Sequence, residues 1–498
     1  MNFSDAKQIF IDTVRRKRRL DSATQLLKWD MKTTMPSKGA ASRAKTMGAI
    51  QSEAFRLQTG KEFGAAIDTL EQNPDRLTPR EARMLEVASA EYHRFYQIPA
   101  DMYEAFNMQA SEALIAWREA RAKQDYFIYL PYLQKVIDYK RQFSELWGYE
   151  DKPYDAMLYD YDPELLTKDI DPIFDTVLTG TRRLLQKLDW GRGAPLLPAA
   201  ADWKHQKAVS EYLLGEIGFD LEAGRYDKAE DGFTCYIHGK DIRIAAEDCE
   251  NDPVDVLFTA LHEGGHGIFD QNIDQTLDDT NLYRGSMTIH ESQSRLWENV
   301  VGRRKAFWAP RMEHAFSLLG CRLAPDLDTF YQGINRVCPS LNRIKADELT
   351  YNLHIIVRYE CEKAIFNDHT DAKDLRALWN DKYQEYLGVT PSNDTEGILQ
   401  DIHWVAGEFG YFPSYTLGNV CAAQFAEAFS KQYGNLDDYV GTQEGIAILR
   451  RWLNENIHRY GKEKKTLTIV RDVCKEDINP EAFIRYMEKK LSNIYEGL

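Results

Sequence analysis

The segment ALHEGGHGIFD, residues 260–270, places two histidines four positions apart and a glutamate directly after the first of them. On a helix, His262 and His266 share one face, one turn apart, and neutral imidazoles at that spacing can bind a single zinc ion. Glu263 is then placed to act as a general base toward water at the metal. The alternative interpretation is a pair of hydrogen-bonded histidines without a metal, and a third ligand decides between the two.

A third ligand is available further along the chain, in GSMTIHESQSRLWENVVGRR, residues 285–304. The periodicity of this segment predicts a helix, and Glu291 lies within it. Two histidines and one carboxylate, with a fourth position left to water, form a catalytic zinc arrangement. Glu298 shares the predicted helix face of Glu291, so it is expected to support a ligand or to be a second candidate ligand. His290 is expected to orient a ligand or to contact substrate.

The histidine pair must be positioned by a helix. DPVDVLFTALHEGGHGIFD predicts an amphipathic helix over about 253–269, with Asp252-Pro253 at its start. Gly264 and Gly265 lie inside this helix, and each costs about 1 kcal/mol relative to alanine. We therefore expect a compensating feature, either a close backbone approach by a neighbouring element or the bound metal.

A β-hairpin is predicted just before that helix, in GFTCYIHGKDIRIAAED, residues 232–248. Residues 234–237 and 240–245 have strand-like composition, and His238-Gly239 fits a two-residue turn. Because a lone hairpin is marginally stable in water, we expect it to pack on the helices near the HEGGH segment.

Most of the remaining chain has helical periodicity, for example over 102–149, and Pro480 is placed to open the last helix. A break is predicted over 191–203, where GRGAPLLPAAADW is rich in glycine, proline and alanine. With no long low-complexity linker and no internal repeat, we expect a single, mostly α-helical catalytic domain over residues 1–498.

The composition argues against several classes of function. The formal net charge of −16 argues against nucleic acid or an anionic membrane surface as the main partner. No apolar run approaches the roughly 18–20 residues that span a bilayer, and the N-terminal segment lacks the pattern of a secretory signal peptide. The seven cysteines form no C-x-x-C pair, so we expect free thiols in a reducing cytosol.

Six segments resemble the thermostable carboxypeptidase family, the carboxypeptidase Taq type of gluzincin metallopeptidase. In chain order they are LLKWDMKTTMPSKGAASRA, PYDAMLYDYDP, HEGGH, HESQS, NRIKADELTYNLHIIVRYECE and GILQDIHWVAGEFGYFPSYTLGN. The resemblance extends over nearly the whole chain. It implies an α-helical, saddle-like body with a deep active-site groove, and a usually homodimeric cytosolic enzyme that removes C-terminal residues from peptides with the help of a metal.

The family's ligand pattern falls on His262, His266 and Glu291, and its general base falls on Glu263. The resemblance therefore implies one metal ion per chain. This ligand set suits Zn²⁺ and Co²⁺ about equally in geometry, and Zn²⁺ is the expected cofactor.

Two further groups of residues are assigned from the resembling segments. A hydrolytic transition state needs donors for its developing oxyanion, and His403, Tyr411 and Tyr415 are assigned that role because related helical zinc peptidases use a histidine and tyrosines in a similarly placed segment. A carboxypeptidase must also bind the terminal carboxylate of its substrate, which favours arginine. Arg343 and Arg358 are the candidates. The alternative interpretation of His403, Tyr411 and Tyr415 is that they are packed aromatic residues of the core. The alternative for each arginine is a structural ion pair.

The chain departs from the family just before the metal helix. The family normally carries a His-Pro-Phe segment followed by an Asp-x-Arg-x-Thr segment, whereas YIHGKDIRIAAED contains no Pro-Phe. Asp241 and Arg243 match the second segment, and Arg243 is a further candidate for substrate binding. Ala245 stands where threonine is expected. We expect this departure to affect substrate preference and not metal binding.

Together these residues predict a metallocarboxypeptidase of broad specificity that acts on peptides with a free C-terminus. One alternative with the same metal chemistry is an oligopeptidase or dipeptidyl carboxypeptidase, which does not require a free carboxylate next to the scissile bond. A second alternative is a helical binding protein that keeps the metal site without catalysis. An intact base beside three ligands argues against that second alternative.

Overall fold

Helices make up most of the structure, as the periodicity predicted. The computed structural model describes residues 1–189 and 200–495. The first ten α-helices in this part of the chain are α1 (Phe3–Thr33), α2 (Ala40–Gln58), α3 (Lys61–Glu71), α4 (Pro79–Tyr96), α5 (Ala100–Lys123), α6 (Tyr126–Trp147), α7 (Asp155–Leu158), α8 (Thr167–Lys187), α9 (Trp203–Ile217) and α10 (Pro253–Gln271).

The later helices include the one that carries the third predicted ligand, Glu291. They are α11 (Met287–Arg295), α12 (Lys305–Trp308), α13 (Met312–Leu318), α14 (Leu327–Ile334), α15 (Tyr351–Asn367), α16 (Ala372–Leu387), α17 (Pro413–Tyr433), α18 (Asp437–Val440), α19 (Gln443–Asn456), α20 (Thr466–Cys474) and α21 (Pro480–Ser492). A π-helical segment, Leu296–Val301, continues α11. The prediction of a mostly α fold is confirmed.

The chain divides into two compact units. The first comprises Met1–Tyr96, Pro195–Tyr331 and Phe425–Lys475, and the second comprises Gln97–Ala194, Gln332–Gln424 and Glu476–Leu498, as far as the described residues reach. The metal-ligand pattern and the predicted hairpin belong to the first unit. The segments with the candidate oxyanion donors and the candidate carboxylate-binding arginines belong to the second.

Helix boundaries follow local chemistry where the sequence predicted them. Helix α10 begins at Pro253, and α21 begins at Pro480 after the capping residue Asn479; a proline at the first helical position suits both. The periodic stretch 102–149 is divided into α5 and α6 at Gln124, whose φ of 56° lies in the left-handed region. The predicted break over 191–203 falls largely outside the described residues.

No helix in the described residues has the length and apolar character required to cross a bilayer.

The sheet of the first unit has three strands where the sequence predicted two. They are β1 (Gly224–Lys228), β2 (Phe233–His238) and β3 (Asp241–Ala246), in the order β1-β3-β2, with β1 parallel and β2 antiparallel to β3. The hairpin is therefore confirmed. Strand β1 was missed because GRYDK shows no apolar alternation and its parallel partner lies beyond β2 in the sequence.

The predicted His238-Gly239 turn is wrong by one residue. His238 pairs with Asp241, which leaves Gly239 and Lys240 as the turn, and the register shifts between Tyr236 and His238. Strand β2 has one extra residue between Tyr236 and His238, so it ends at His238, one position later than its composition indicated.

The hairpin is packed on both of its faces. Cys235, Ile237 and Ala245 form a cluster with Trp29 of α1. The opposite face meets α10, where a Cβ added at Gly267 would lie 3.2 Å from Cδ1 of Ile244. The expectation that the hairpin packs beside the HEGGH helix is confirmed. Helix α1 packs against the other face of the hairpin.

The two glycines at the centre of α10 allow close contacts with neighbouring helices. A Cβ at Gly264 would lie 2.7 Å from the side chains of Leu214 and Ile217 on α9, and a Cβ at Gly265 would lie 2.6 Å from the backbone oxygen of Gln293 on α11. Real Cβ atoms do not approach other atoms this closely, so position 265, which meets backbone, requires glycine, whereas a side chain at position 264 would require Leu214 and Ile217 to move. The close approach brings the backbone of the Glu291 helix against that of the histidine helix.

Candidate metal centre

Three side chains of the first unit converge on one point. The ligand atoms of His262, His266 and Glu291 all lie within 4.8 Å of one another. Oε2 of Glu291 is 3.8 Å from Nε2 of His262, and its Oε1 is 3.7 Å from Nε2 of His266. Both imidazoles therefore present the same nitrogen to the carboxylate, as two ligands of one ion do.

Glu298 holds His262 from the other side of its ring. Oε2 of Glu298 lies 2.8 Å from Nδ1 of His262, while Arg295 at 3.0 Å and Arg303 at 3.8 Å lie against the same carboxylate. Burial alone would raise the pKa of Glu298, but Arg295, His262 and Arg303 outweigh it and lower that pKa to about 2. The carboxylate stays ionised and fixes the ring with Nε2 toward the ligand position. Of the two interpretations of Glu298, this geometry favours support of a ligand.

We expect Glu298→Gln to lower the affinity for the metal by about 10- to 100-fold, because the neutral amide is a weaker acceptor for His262. Competition with a chromogenic chelator measures this affinity. Glu216→Gln is the matched control, since Glu216 also pairs with a buried arginine, Arg311, at 2.7 Å. An affinity equal to that of the unmodified protein would show that the contact between Glu298 and His262 does not support binding.

His266 is held by His290 and not by a carboxylate directly. Its Nδ1 lies 2.5 Å from Nδ1 of His290, whose Nε2 lies 3.0 Å from Oδ1 of Asp270. Burial, His290 and His262 lower the pKa of His266 well below its usual range, which favours the neutral ligand form. His290 is fully buried, so this placement favours its predicted role in orienting a ligand over contact with substrate.

The third candidate ligand and the predicted base are also held in place. The Ser294 hydroxyl donates to Oε2 of Glu291 at 2.9 Å. The Thr234 hydroxyl of β2 lies 2.6 Å from Oε2 of Glu263. Burial raises the pKa of Glu263, while His262 and the hydrogen bond from Thr234 act in the opposite direction; the net direction is upward. A carboxylate with a raised pKa is a stronger base.

The second unit brings together His403, Tyr411 and Tyr415. The hydroxyl of Tyr415 lies 3.5 Å from Nε2 of His403. The centroid of the Tyr411 ring lies 5.2 Å from the ring centroids of both His403 and Tyr415. Burial is the main cause that lowers the pKa of His403 to about 4; Arg343 and Arg358 act in the same direction, and the charge of Asp401 acts in the opposite one. His403 is therefore neutral near pH 7 and has one N–H to donate.

The two candidate arginines share one carboxylate, that of Asp401. Arg358 is fully buried. Its five N–H groups are used by the protein, in bonds that reach Asp401 twice, Gln400, His354 and Tyr383. This arrangement argues against direct binding of a substrate carboxylate by Arg358.

Arg343 keeps donors available. Its Nε and Nη2 lie 2.9 and 2.8 Å from Asp401, and its Nη1 donates to Tyr351 at 2.9 Å. Two of its five N–H groups have no bond to the residues described in the structure. Of the two arginines, Arg343 therefore retains the capacity to bind a carboxylate, and Asp401 fixes its orientation.

Arg243 lies on β3 and forms two bonds to Asp241, at 2.7 and 2.8 Å. It is paired across the sheet with Cys235, so it lies on the face that packs against Trp29 of α1. Thr234 lies on the other face. Substrate binding by Arg243 stays a prediction, and this placement does not support it.

Comparison with known proteins identifies the family. The family model for carboxypeptidase Taq (M32) metallopeptidase matches residues 9–491. The chain belongs to this family. Carboxypeptidase 1 of Bacillus subtilis is 38% identical to it over 98% of each chain. Thermostable carboxypeptidase 1 of Thermus thermophilus is 34% identical over 98% of this chain and 99% of the relative.

Solved structures of the carboxypeptidase Taq family have the same fold. The crystal structure of the M32 carboxypeptidase from Deinococcus radiodurans R1 matches with a TM-score of 0.92 at 30% identity, over 99% of both chains. Family membership gives the class of reaction, which is metal-dependent hydrolysis of peptide bonds.

The residues present fit the divalent metal that the carboxypeptidase Taq family implies. Two imidazole nitrogens and a carboxylate face one another, and each imidazole is held through its other nitrogen. A divalent cation bound by His262, His266 and Glu291 would supply Lewis-acid chemistry, since it polarises a carbonyl oxygen and makes water more acidic.

Several residues at these sites could not be found from sequence. Asp270 lies four positions after His266 on α10, but its carboxylate contacts His290 of α11, a pairing that the sequence did not indicate. Thr234 and Asp401 gave no local signal, because each contacts residues far away in the sequence. The HEGGH segment gave two candidate ligands because they are four positions apart on one helix, and the HESQS segment gave the third candidate through its helical pattern and the family resemblance.

Proposed function

We propose that this chain is a carboxypeptidase that removes single C-terminal residues from peptides with broad specificity, with Glu263 as its general base. The observation that carries the proposal is the convergence of His262, His266 and Glu291 on one point. Glu263 follows the first ligand on α10, and its carboxylate is held by a strand of the same unit. An ordinary pair of buried histidines needs neither the third ligand nor the base.

We propose Zn²⁺ as the bound metal, one ion per chain, with Co²⁺ as the other ion that suits the site. Two imidazole nitrogens, one carboxylate and an open position form the donor set of catalytic zinc. Both ions tolerate this geometry. Metal analysis of protein purified without added metal tests the assignment.

The proposed chemistry of the chain's own residues is general acid–base catalysis. Glu263 accepts a proton from the attacking water as the C–O bond forms, and it passes that proton to the leaving nitrogen as the C–N bond breaks. His403, with Tyr411 or Tyr415, is proposed to donate hydrogen bonds to the developing oxyanion. That role rests on the family resemblance and on the neutral state of His403.

Arg343 is proposed to bind the terminal carboxylate of the substrate. We expect Arg343→Lys to lower kcat/KM for free-acid peptides by about 10- to 100-fold, since the lysine keeps the charge beside Asp401 but loses the planar pair of donors. The readout is the ratio of kcat/KM for a free-acid peptide to that for its C-terminal amide, which should fall toward one. Arg376→Lys is the control, because Arg376 pairs with Asp394 elsewhere in the second unit. An unchanged ratio would remove Arg343 from this role.

The comparison of a free-acid peptide with its amide in the unmodified protein tests the proposed function itself. A carboxypeptidase cleaves the amide poorly because the terminal charge is missing. An oligopeptidase, the alternative with the same metal chemistry, cleaves both at similar rates. Absence of any cleavage by metal-loaded protein would favour the non-catalytic alternative.

We further propose that the protein acts in the cytoplasm as a homodimer. All seven cysteines are free thiols, which suits a reducing compartment. The dimer rests on the resemblance to the family. Sedimentation equilibrium measures the association state, and a mass of one chain at micromolar concentration would contradict the dimer.

A further inference from the structure

A threonine in the hairpin contacts the proposed base directly. Oγ1 of Thr234 lies 2.6 Å from Oε2 of Glu263 and 3.1 Å from the backbone oxygen of the same residue. A hydroxyl has one hydrogen to donate. The hydroxyl therefore donates to Oε2, because this contact is the shorter one and a charged carboxylate is the stronger acceptor.

The position of this hydroxyl is set by the hairpin and not by α10. Thr234 pairs with Ile244 across the sheet, and its β-branched side chain has restricted χ1 freedom. Its neighbour Phe233 packs on Trp29 of α1, with ring centroids 5.4 Å apart. Strand β2 is thus fixed between two helices, and it offers the carboxylate a donor whose position does not depend on the conformation of Glu263.

The other oxygen of Glu263 has a different environment. Oε1 accepts no hydrogen bond from the residues that the structure describes. A Cβ added at Gly232 would lie 3.7 Å from it, so the glycine leaves the space beside Oε1 free of a side chain. One oxygen is therefore bound to the protein, and the other is left for a ligand or water.

We propose that Thr234 is a positioning residue, which fixes the Glu263 carboxylate through Oε2 and so directs Oε1 to proton transfer. The inference rests on the proposed function. In the reaction, Oε1 takes a proton from water and later gives it to the leaving nitrogen, while the hydroxyl proton remains on Oγ1 throughout. In this proposal Thr234 acts through Glu263 and not on the substrate or the metal.

The experiment compares Thr234→Val, which keeps the shape and loses the hydroxyl, with Thr234→Ser, which keeps the hydroxyl. We expect Thr234→Val to lower kcat by about 10-fold, with KM changed less than about 2-fold and metal content unchanged. Thr234→Ser should remain within about 3-fold of the unmodified enzyme. Thr181→Val is the control, since Thr181 is a buried threonine whose hydroxyl has no partner among the described residues.

A second measurement separates positioning from a general effect on folding. In the Glu263→Gln background, Thr234→Val should produce no further loss of kcat, because the two residues act as one unit. If Thr234→Val does not fold, the pair Thr234→Ala and Thr234→Ser gives the same comparison. A kcat of Thr234→Val equal to that of the unmodified enzyme overturns the inference, and so does an equal loss in the serine variant. Failure of the unmodified enzyme to cleave any peptide would instead overturn the proposed function.

Discussion

Glu263→Gln is expected to lower kcat by about 10³-fold while the metal stays bound. The amide has the shape of the carboxylate and can still accept the hydrogen bond of Thr234, but it cannot take a proton from water. The proposed ligands His262, His266 and Glu291 are unchanged. Steady-state kinetics on a free-acid peptide, together with metal analysis of the same sample, measure both quantities.

The control for this prediction is Glu216→Gln, which removes a half-buried carboxylate of the first unit that pairs with Arg311. It should retain full activity if the effect is specific to the base. Turnover by Glu263→Gln at the rate of the unmodified enzyme would contradict the proton-transfer role.

Glu291→Gln is expected to weaken metal binding by at least about 100-fold, and activity should fall with the loss of metal. The neutral amide cannot supply the negative charge that the two imidazoles lack, so only His262 and His266 remain as strong ligands. Metal content after dialysis, and activity measured against added metal concentration, report the change. High metal concentration should restore part of the activity, because Glu263 is intact.

The metal affinity of the Glu291→Gln variant can be compared with that of Glu298→Gln, for which a smaller loss is expected. Glu298→Gln removes a carboxylate that contacts the same imidazole but lies behind it, at 2.8 Å from Nδ1 of His262. Its effect on affinity should be smaller than that of Glu291→Gln. If the two variants bind metal equally well, the assignment of Glu291 as a ligand and Glu298 as its support is contradicted.

The local features of the site could be predicted because their causes are local. The spacing of His262 and His266 follows from helical geometry, and Pro253 marks the start of α10 because it has no N–H to lose. The glycines at 264 and 265 predicted either a close backbone approach by a neighbour or compensation by a bound metal, and the contact of Gly265 with the backbone of α11 shows the first of these. The hairpin was visible from the strand-like composition of residues 234–237 and 240–245 and from the turn residues between them.

The missed features all depend on contacts between distant parts of the chain. Strand β1 forms because its backbone pairs with that of β3, and its own residues do not indicate a strand. The His238-Gly239 turn was wrong because cross-strand pairing to Asp241 set the register. Local propensity does not determine such pairings.

The roles of the two arginines likewise depend on side-chain contacts that the sequence does not indicate. Arg343 and Arg358 were equally good candidates in sequence, since both lie in one resembling segment. Asp401 contacts two nitrogens of each arginine and so does not separate them. Other neighbours occupy the remaining N–H groups of Arg358, whereas two N–H groups of Arg343 have no bond to the described residues. Only the three-dimensional arrangement of the neighbouring groups distinguishes an arginine with N–H groups left for a substrate from one whose N–H groups are all used within the protein.

The central claim is that the three-ligand site of the first unit drives removal of single C-terminal residues. The most direct test follows the products of a short unblocked peptide by mass spectrometry over time, with metal-loaded protein, chelated protein and chelated protein after metal is restored. We predict stepwise loss of one C-terminal residue at a time, abolished by chelation and recovered with Zn²⁺ or Co²⁺. Internal cleavage, release of dipeptides, or turnover that survives removal of the metal would contradict it.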